Sequence, residues 1–330
     1  MKVAPVSILL GLLIMLTPAG SSPDCRDISA LIAGVDRDFM EGSLRAAISE
    51  ADRALSCPNA SIDERVMLHL KRSGMYDRTG LHTNSRPVKA ALQSIDSASE
   101  LADQASLASR AAINLARARY YYRSEKPDSD YPASRKFARA ALALFEELED
   151  LHGQADTVHL TGLFHLLRDE LDEAQVYFER SLDLEVRSGA ARPVMLADYE
   201  RHMGFIYQMT GDLEQAIENF QRSFVIRRDN GLIDQAMFAA ASLGRALIND
   251  NRAAEAEAPL VFALDTAEAL DSPEGRARAG LALGQMHEQL GNREAAIEAF
   301  EATLVAAEEI SRTSIIERAS AALGRLLEGQ

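Results

Sequence analysis

Gly204, Gly244, Gly284 and Gly324 stand forty residues apart, and Gly162 lies forty-two residues before the first of them. Behind Gly162 and the first three of the series, the same columns recur. An alanine follows at twelve residues (Ala174, Ala216, Ala256, Ala296), and a large apolar residue comes four further on (Phe178, Phe220, Leu260, Phe300). A small residue comes three beyond that (Ser181, Ser223, Ala263, Thr303). Turn chemistry, clearest in Thr210-Gly211-Asp212 and Leu290-Gly291-Asn292, separates glycine from alanine. A period of this length with a turn inside it is the mark of an array of two-helix units. Residues spaced four and three apart share one helix face. The Gly-Asp junctions end one helix and cap the next, and a glycine on the first helix lets the second approach closely. A single hairpin cannot bury its own apolar face, so neighbouring hairpins must stack.

The composition agrees. The chain has 330 residues, 47% of them hydrophobic, with no Trp and only 6% aromatics. It is rich in Ala, Leu, Glu and Arg, which lose little entropy in a helix. Upstream the pattern loosens. Ala133, Phe137 and Ala140 repeat the second-helix columns after the polar run 124–130, Ala91, Ile95 and Ala98 repeat them again, and Ala47, Ala51 and Ala54 mark a lone second helix. The expected organisation is six hairpins at 62–101, 104–150, 155–188, 194–230, 234–271 and 274–311, with end helices at 38–56 and 313–329 and an extended segment over 20–37.

This arrangement resembles the tetratricopeptide repeat family. One copy reads Met203-Gly204, Tyr207, Gly211-Asp212, Ala216, Phe220, Ser223, and another reads Leu283-Gly284, His287, Gly291-Asn292, Ala296, Phe300, Thr303. The family's early Trp and terminal Pro are missing. Its period is about thirty-four residues, so a forty-residue period implies longer helices, as in the extended repeats of kinesin light chains and of arrays linked to caspase-like peptidases. The resemblance implies an all-α, right-handed α-solenoid of antiparallel hairpins whose first helices line a concave face where a ligand peptide lies. In that orientation Arg201, Phe205, Gln208, Arg245, Asn249, Arg278, Gln285 and Arg325 face inward, with Arg318 close by. Guanidinium groups present fork-shaped donors suited to carboxylates and peptide carbonyls. Two readings follow: a groove for an acidic or extended peptide, or arginines that pair with Glu and Asp on adjacent helices. A more apolar inner patch, His159 with Leu163, Leu166 and Leu167, reads as core or as an anchor for a hydrophobic side chain.

Catalytic signatures are absent from the sequence. It has no phosphate-cradling glycine loop and no nucleophile elbow. His287-Glu288 lacks the second His of a zinc-peptidase motif, and His152, His159 and His165 are not spaced as metal ligands on one face. Asp128-Ser129-Asp130 is too short for a calcium loop. The reading is a non-enzymatic scaffold without cofactor or metal, binding a protein or peptide. The alternative is an accessory or regulatory subunit of an exported enzyme such as a peptidase.

Residues 1–19 carry Lys2, an apolar run from Ile8 to Leu16 and the exit Thr17-Pro18-Ala19, which is the layout of a secretory signal. The run is too short to cross a bilayer, so a periplasmic or secreted protein without membrane insertion is expected after its removal. Cys25 and Cys57 then meet an oxidising space. If residues 26–34 folded back as a helix, Cys25 would lie near residue 46. Run extended, they would reach Cys57. A bridge and two free thiols both stand open. The net charge of −15 becomes −16 without Lys2 (34 basic, 50 acidic residues), a surface that repels nucleic acid and anionic lipid.

Overall fold

The computed structural model describes Cys25 and residues 27–40, 43–83, 89–124 and 131–328. The expected signal at 1–19 lies outside the described residues. Among these, fifteen α-helices and no strand form. Seven antiparallel pairs follow one another: α1 (Ile28–Met40) with α2 (Leu44–Leu55), α3 (Ile62–His82) with α4 (Lys89–Glu100), α5 (Leu107–Ser124) with α6 (Pro132–Glu147), and α7 (Leu151–Leu166) with α8 (Leu171–Arg187). Then come α9 (Pro193–Thr210) with α10 (Leu213–Asp229), α11 (Ile233–Asn249) with α12 (Glu257–Ala269), and α13 (Pro273–Gln289) with α14 (Arg293–Glu309). A last helix, α15 (Thr313–Glu328), closes the far end.

One device ends most of the helices. A residue with positive φ sits at Glu149, Asp169, Gly189, Gly211, Gly231, Asn251, Asp271, Gly291 and Ser311. At most of these the next residue's N–H reaches five residues back, as in Asp150 to Phe145 O, Asp212 to Tyr207 O and Asn292 to His287 O, each at 2.9 Å. That bond satisfies a carbonyl the helix leaves orphaned. The same residue then caps the next helix: Asp150 accepts from Gly153 N, Asp212 from Gln215 N and Ser272 from Gly275 N, at 3.0, 3.1 and 3.1 Å. Two residues therefore reverse the chain.

The repeated glycines are notches. A Cβ added at Gly162, Gly204, Gly244 or Gly284 would come 2.7, 2.9, 2.4 or 2.5 Å from Phe178, Phe220, Leu260 or Phe300. Those four large side chains are fully buried, as are the alanine and small-residue columns around them. At Gly324 a Cβ would meet nothing within 4 Å, and no described residue fills that notch.

The early register differs from expectation. In α6 the buried residues are Ser134, Ala138, Ala141 and Phe145, one place on from Ala133, Phe137 and Ala140, and Ala140 is exposed. Phe145 fills a notch at Gly153 on the next hairpin, where a Cβ would meet its ring at 2.2 Å, while Phe137 stacks on Tyr121 at 5.7 Å. The segment expected to run extended over 20–37 holds α1 instead, because Ile28, Leu31, Ile32, Val35 and Phe39 fall at helical spacing and pack with Ala47, Ala51 and Ala54. The end helix expected at 38–56 is thus the second half of a seventh pair.

That pairing settles the cysteines. With 13 and 12 residues, α1 and α2 are nearly equal in length, so Cys25 before one lies beside Cys57 after the other. They form a disulfide with Cα atoms 5.5 Å apart, and Asn59 Nδ2 donates to Cys25 O at 2.7 Å. Because α2 packs back along α1, a helical segment and a bridge are compatible. In a stacked array each hairpin packs chiefly on its sequence neighbours, and the core around α1 is shared with α2 and α3. Reduction is therefore expected to release α1 alone, read as faster amide exchange over 28–40 with protection beyond residue 60 unchanged.

Candidate functional site

The first helices meet one another directly, α3 on α5, α5 on α7, α11 on α13 and α13 on α15. They therefore form the inside of the curve. Along this wall, residues just after the repeated glycine on one helix lie beside residues six before it on the next. The register brings Arg245 of α11, Arg278 and Gln285 of α13 and Arg318 of α15 around one cavity of about 160 Å³, joined by Phe238, Ser242, Arg312 and Ser314.

The charges there do not balance. Buried Glu274 accepts from Arg278 Nε at 2.6 Å and lies 3.5 Å from Arg312 Nε, while its Oε2 has no hydrogen-bond partner. Arg278 also sits over the Phe238 ring at 5.9 Å. Arg245 is half-buried and has no hydrogen bond or ion pair among the described residues, and exposed Arg318 has none either. Burial holds the Arg245 guanidinium below its ordinary pKa, with Arg278 and Arg318 adding repulsion. Arg245 and Arg318 thus stand at the cavity without an ion pair among the described residues, an arrangement that takes an anion without first breaking one.

The other expected groove residues lie outside this cavity. Arg201 sits 5.0 Å over the Phe205 ring, and burial first, then Arg227, brings its guanidinium down to about 10. Exposed Arg325 pairs with Glu288 at 3.1 Å, Asn249 is exposed and Gln208 is half-buried. The apolar patch at the Gly162 copy is mostly core. His159 is buried and Leu163 and Leu166 pack into the interior, while Leu167 is 49% exposed. Sequence reasoning missed Arg312, which stands in the turn before α15, and Phe238, which the six-before-glycine column would have found.

A second polar line crosses the interior between α7, α8 and α9. Arg201 donates to His202 Nε2 at 3.2 Å. That assigns the His202 proton to Nδ1, which donates to His159 Nε2 at 2.8 Å, and His159 Nδ1 in turn reaches Ser181 Oγ at 3.4 Å. Both rings are neutral in this chain of bonds. Burial holds His159 down to about 4, and burial, then His159 and Arg201, hold His202 well below its ordinary value. Among the described residues no group of three or more His, Cys, Asp or Glu is placed to hold a metal, and no helix is long and apolar enough to cross a membrane.

Comparison with known proteins agrees with this architecture. A tetratricopeptide repeat model matches residues 277–304. Tetratricopeptide repeat protein 29 of Trypanosoma brucei brucei (strain 927/4 GUTat10.1) is 29% identical over 202 residues, 57% of this chain and 42% of that protein. The chain thus spans about two fifths of the length of the curated relative it matches. Among solved structures, a Rap protein complexed with Competence and Sporulation Factor has a TM-score of 0.61 at 14% identity, over 91% of this chain and 84% of that one. NprR in complex with its cognate peptide NprX gives 0.57 at 17% identity, over 80% and 73%. With its notched hairpins and two-residue reversals, the chain has the fold of a tetratricopeptide-type helical solenoid, and residues 277–304 match a tetratricopeptide repeat.

Proposed function

We propose that this protein is an exported, non-catalytic scaffold whose inner wall holds an extended, acidic segment of a partner protein. The observation that carries this reading is Arg245, a half-buried guanidinium without a counter-charge among the described residues, which lines one cavity with Arg278, Arg312 and Arg318. In a chain of net charge −15, such a local excess of cations favours a carboxylate-bearing ligand over the rest of the surface. The Phe238 ring and the Ser242 and Ser314 hydroxyls add an apolar shelf and neutral hydrogen-bonding groups. The Rap and NprR structures hold a factor and a peptide, which supports a peptide or protein as the ligand. Export is supported by the Cys25–Cys57 disulfide, since such bonds persist in oxidising compartments.

A fluorescein-labelled peptide of alternating Glu and Ala, with its Gln-for-Glu counterpart, tests the reading by fluorescence anisotropy. The acidic peptide is expected to bind and to weaken with added salt. Arg245→Glu combined with Arg278→Glu is expected to reduce its affinity by about 30-fold or more, on the scale of 2 kcal/mol for losing charge-assisted bonds. Equal binding of the two peptides, or affinity untouched by the charge reversals, would remove the acidic-segment reading.

A further inference from the structure

The inner wall does not end as an open trough. Across the curve, α3 of the second hairpin meets α11 and α13 of the sixth and seventh. Arg78 Nε pairs with Asp234 Oδ2 at 2.8 Å, and both side chains are nearly buried, at 14% and 11% exposure. The buried His82 Nδ1 and Ser272 Oγ lie 2.7 Å apart, although 190 residues separate them in sequence. The His82 ring also rests against Phe238 at 5.8 Å, and Arg78 sits over Phe39 at 4.4 Å. From α10 to α13 the successive hairpins are joined largely by alanine, leucine and phenylalanine. This seam is held by an ion pair, a hydrogen bond and a tilted ring contact.

We propose that the seam is a reversible clasp that shuts the solenoid on itself and parts to expose the inner wall. Its chemistry suits that use. Apolar contacts oppose separation, because parting exposes their surface to water. A buried ion pair loses its Coulombic attraction on parting but regains the hydration of both ions, so the two states lie close in free energy. Each half also keeps its fold when the seam is open, since every hairpin remains stacked on its sequence neighbours. Phe238 and Ser272 extend the effect to the arginine cavity. Phe238 touches His82 on one side and lines the cavity on the other, and Ser272 caps the helix that carries Arg278. Admission of a partner rests on the function proposed above. The clasp itself does not, and it is tested without any ligand.

Asp234→Ala strands the Arg78 charge, and opening rehydrates it. In small-angle X-ray scattering of the full chain, the radius of gyration is expected to rise by about 2 Å above a wild-type value near the ~20 Å of a compact chain this long. Amide exchange in the second half of α3 and the first turns of α11 is expected to speed by about tenfold or more, with helix content by circular dichroism unchanged. Arg78→Met combined with Asp234→Leu, which replaces the pair by apolar groups, is expected to restore the closed dimensions. Should Asp234→Ala lose helix content, Arg78→Met alone gives the same reading, because Asp234 at a helix start tolerates water. Scattering profiles of the folded single variants that superimpose on wild type would overturn the clasp. Unchanged scattering with lost peptide binding would strike the clasp and spare the proposed function, whereas opening without any acidic-peptide binding in wild type would do the reverse.

Discussion

Gly284→Ala is expected to destabilise the protein by about 2–3 kcal/mol, and Gly324→Ala to stabilise it by up to about 1 kcal/mol. Both glycines lie within helices at the same column of the repeat, and alanine is the better helix former at both by about 1 kcal/mol. They differ only in what waits outside. At Gly284 the added methyl would meet three ring atoms of Phe300 at 2.5, 2.6 and 2.8 Å. Phe300 is fully buried, so relief requires moving a packed aromatic ring and the helix that carries it. At Gly324 the methyl enters open space. Urea unfolding midpoints of the two variants read the pair directly. Destabilisation at both sites, or at neither, would mean that the periodic glycine serves the helix itself and not the helix that packs on it.

Acid is expected to unfold the array through its histidine chain. His159 is held at about 4, against 6.5 for a free imidazole, chiefly by burial, and His202 is displaced in the same direction. Above pH 6.5 both states leave the ring neutral and the shift contributes nothing further. Below it the unfolded chain takes up a proton that the folded chain refuses, so stability falls as pH drops from 6.5 toward 4. At 1.36 kcal/mol per pH unit, His159 alone accounts for about 3 kcal/mol over that window. His202 adds to the loss in the same sense. Stability measured by denaturant at pH 7.5, 6, 5 and 4 is expected to fall along this course, and His159→Leu with His202→Leu to flatten it. An equally steep loss in the double variant would assign acid unfolding to other groups.

The later hairpins were legible because a notch and the ring that fills it must change together. Glycine at 204 makes sense only with Phe220 sixteen residues on, and that coupling writes a period into the chain. Where the partnership crosses between hairpins, as with Phe145 and Gly153, the spacing changes and the register of α6 is lost by one residue. The junctions were half visible. Gly189, Gly211, Gly231 and Gly291 announce a left-handed residue, but Glu149, Asp169, Asp271 and Ser311 adopt the same conformation without a residue type that signals it. Among the inner-wall arginines, Arg245, Arg278 and Arg318 were found because helical register places them. Arg312 was not, because it stands in a turn that no period describes. Contact between α3 and α13 was beyond sequence altogether, since it follows from small rotations summed over five hairpins.

Meeting across the curve has an arithmetical consequence. Solenoids grow and shrink in evolution by whole units, and an extra hairpin inserted between α4 and α11 would leave every notch filled and every cap satisfied. It would nonetheless carry Asp234 and Ser272 past Arg78 and His82. The tally of repeats in this chain is thus constrained by geometry at a distance, in an architecture whose local packing alone places no limit on length.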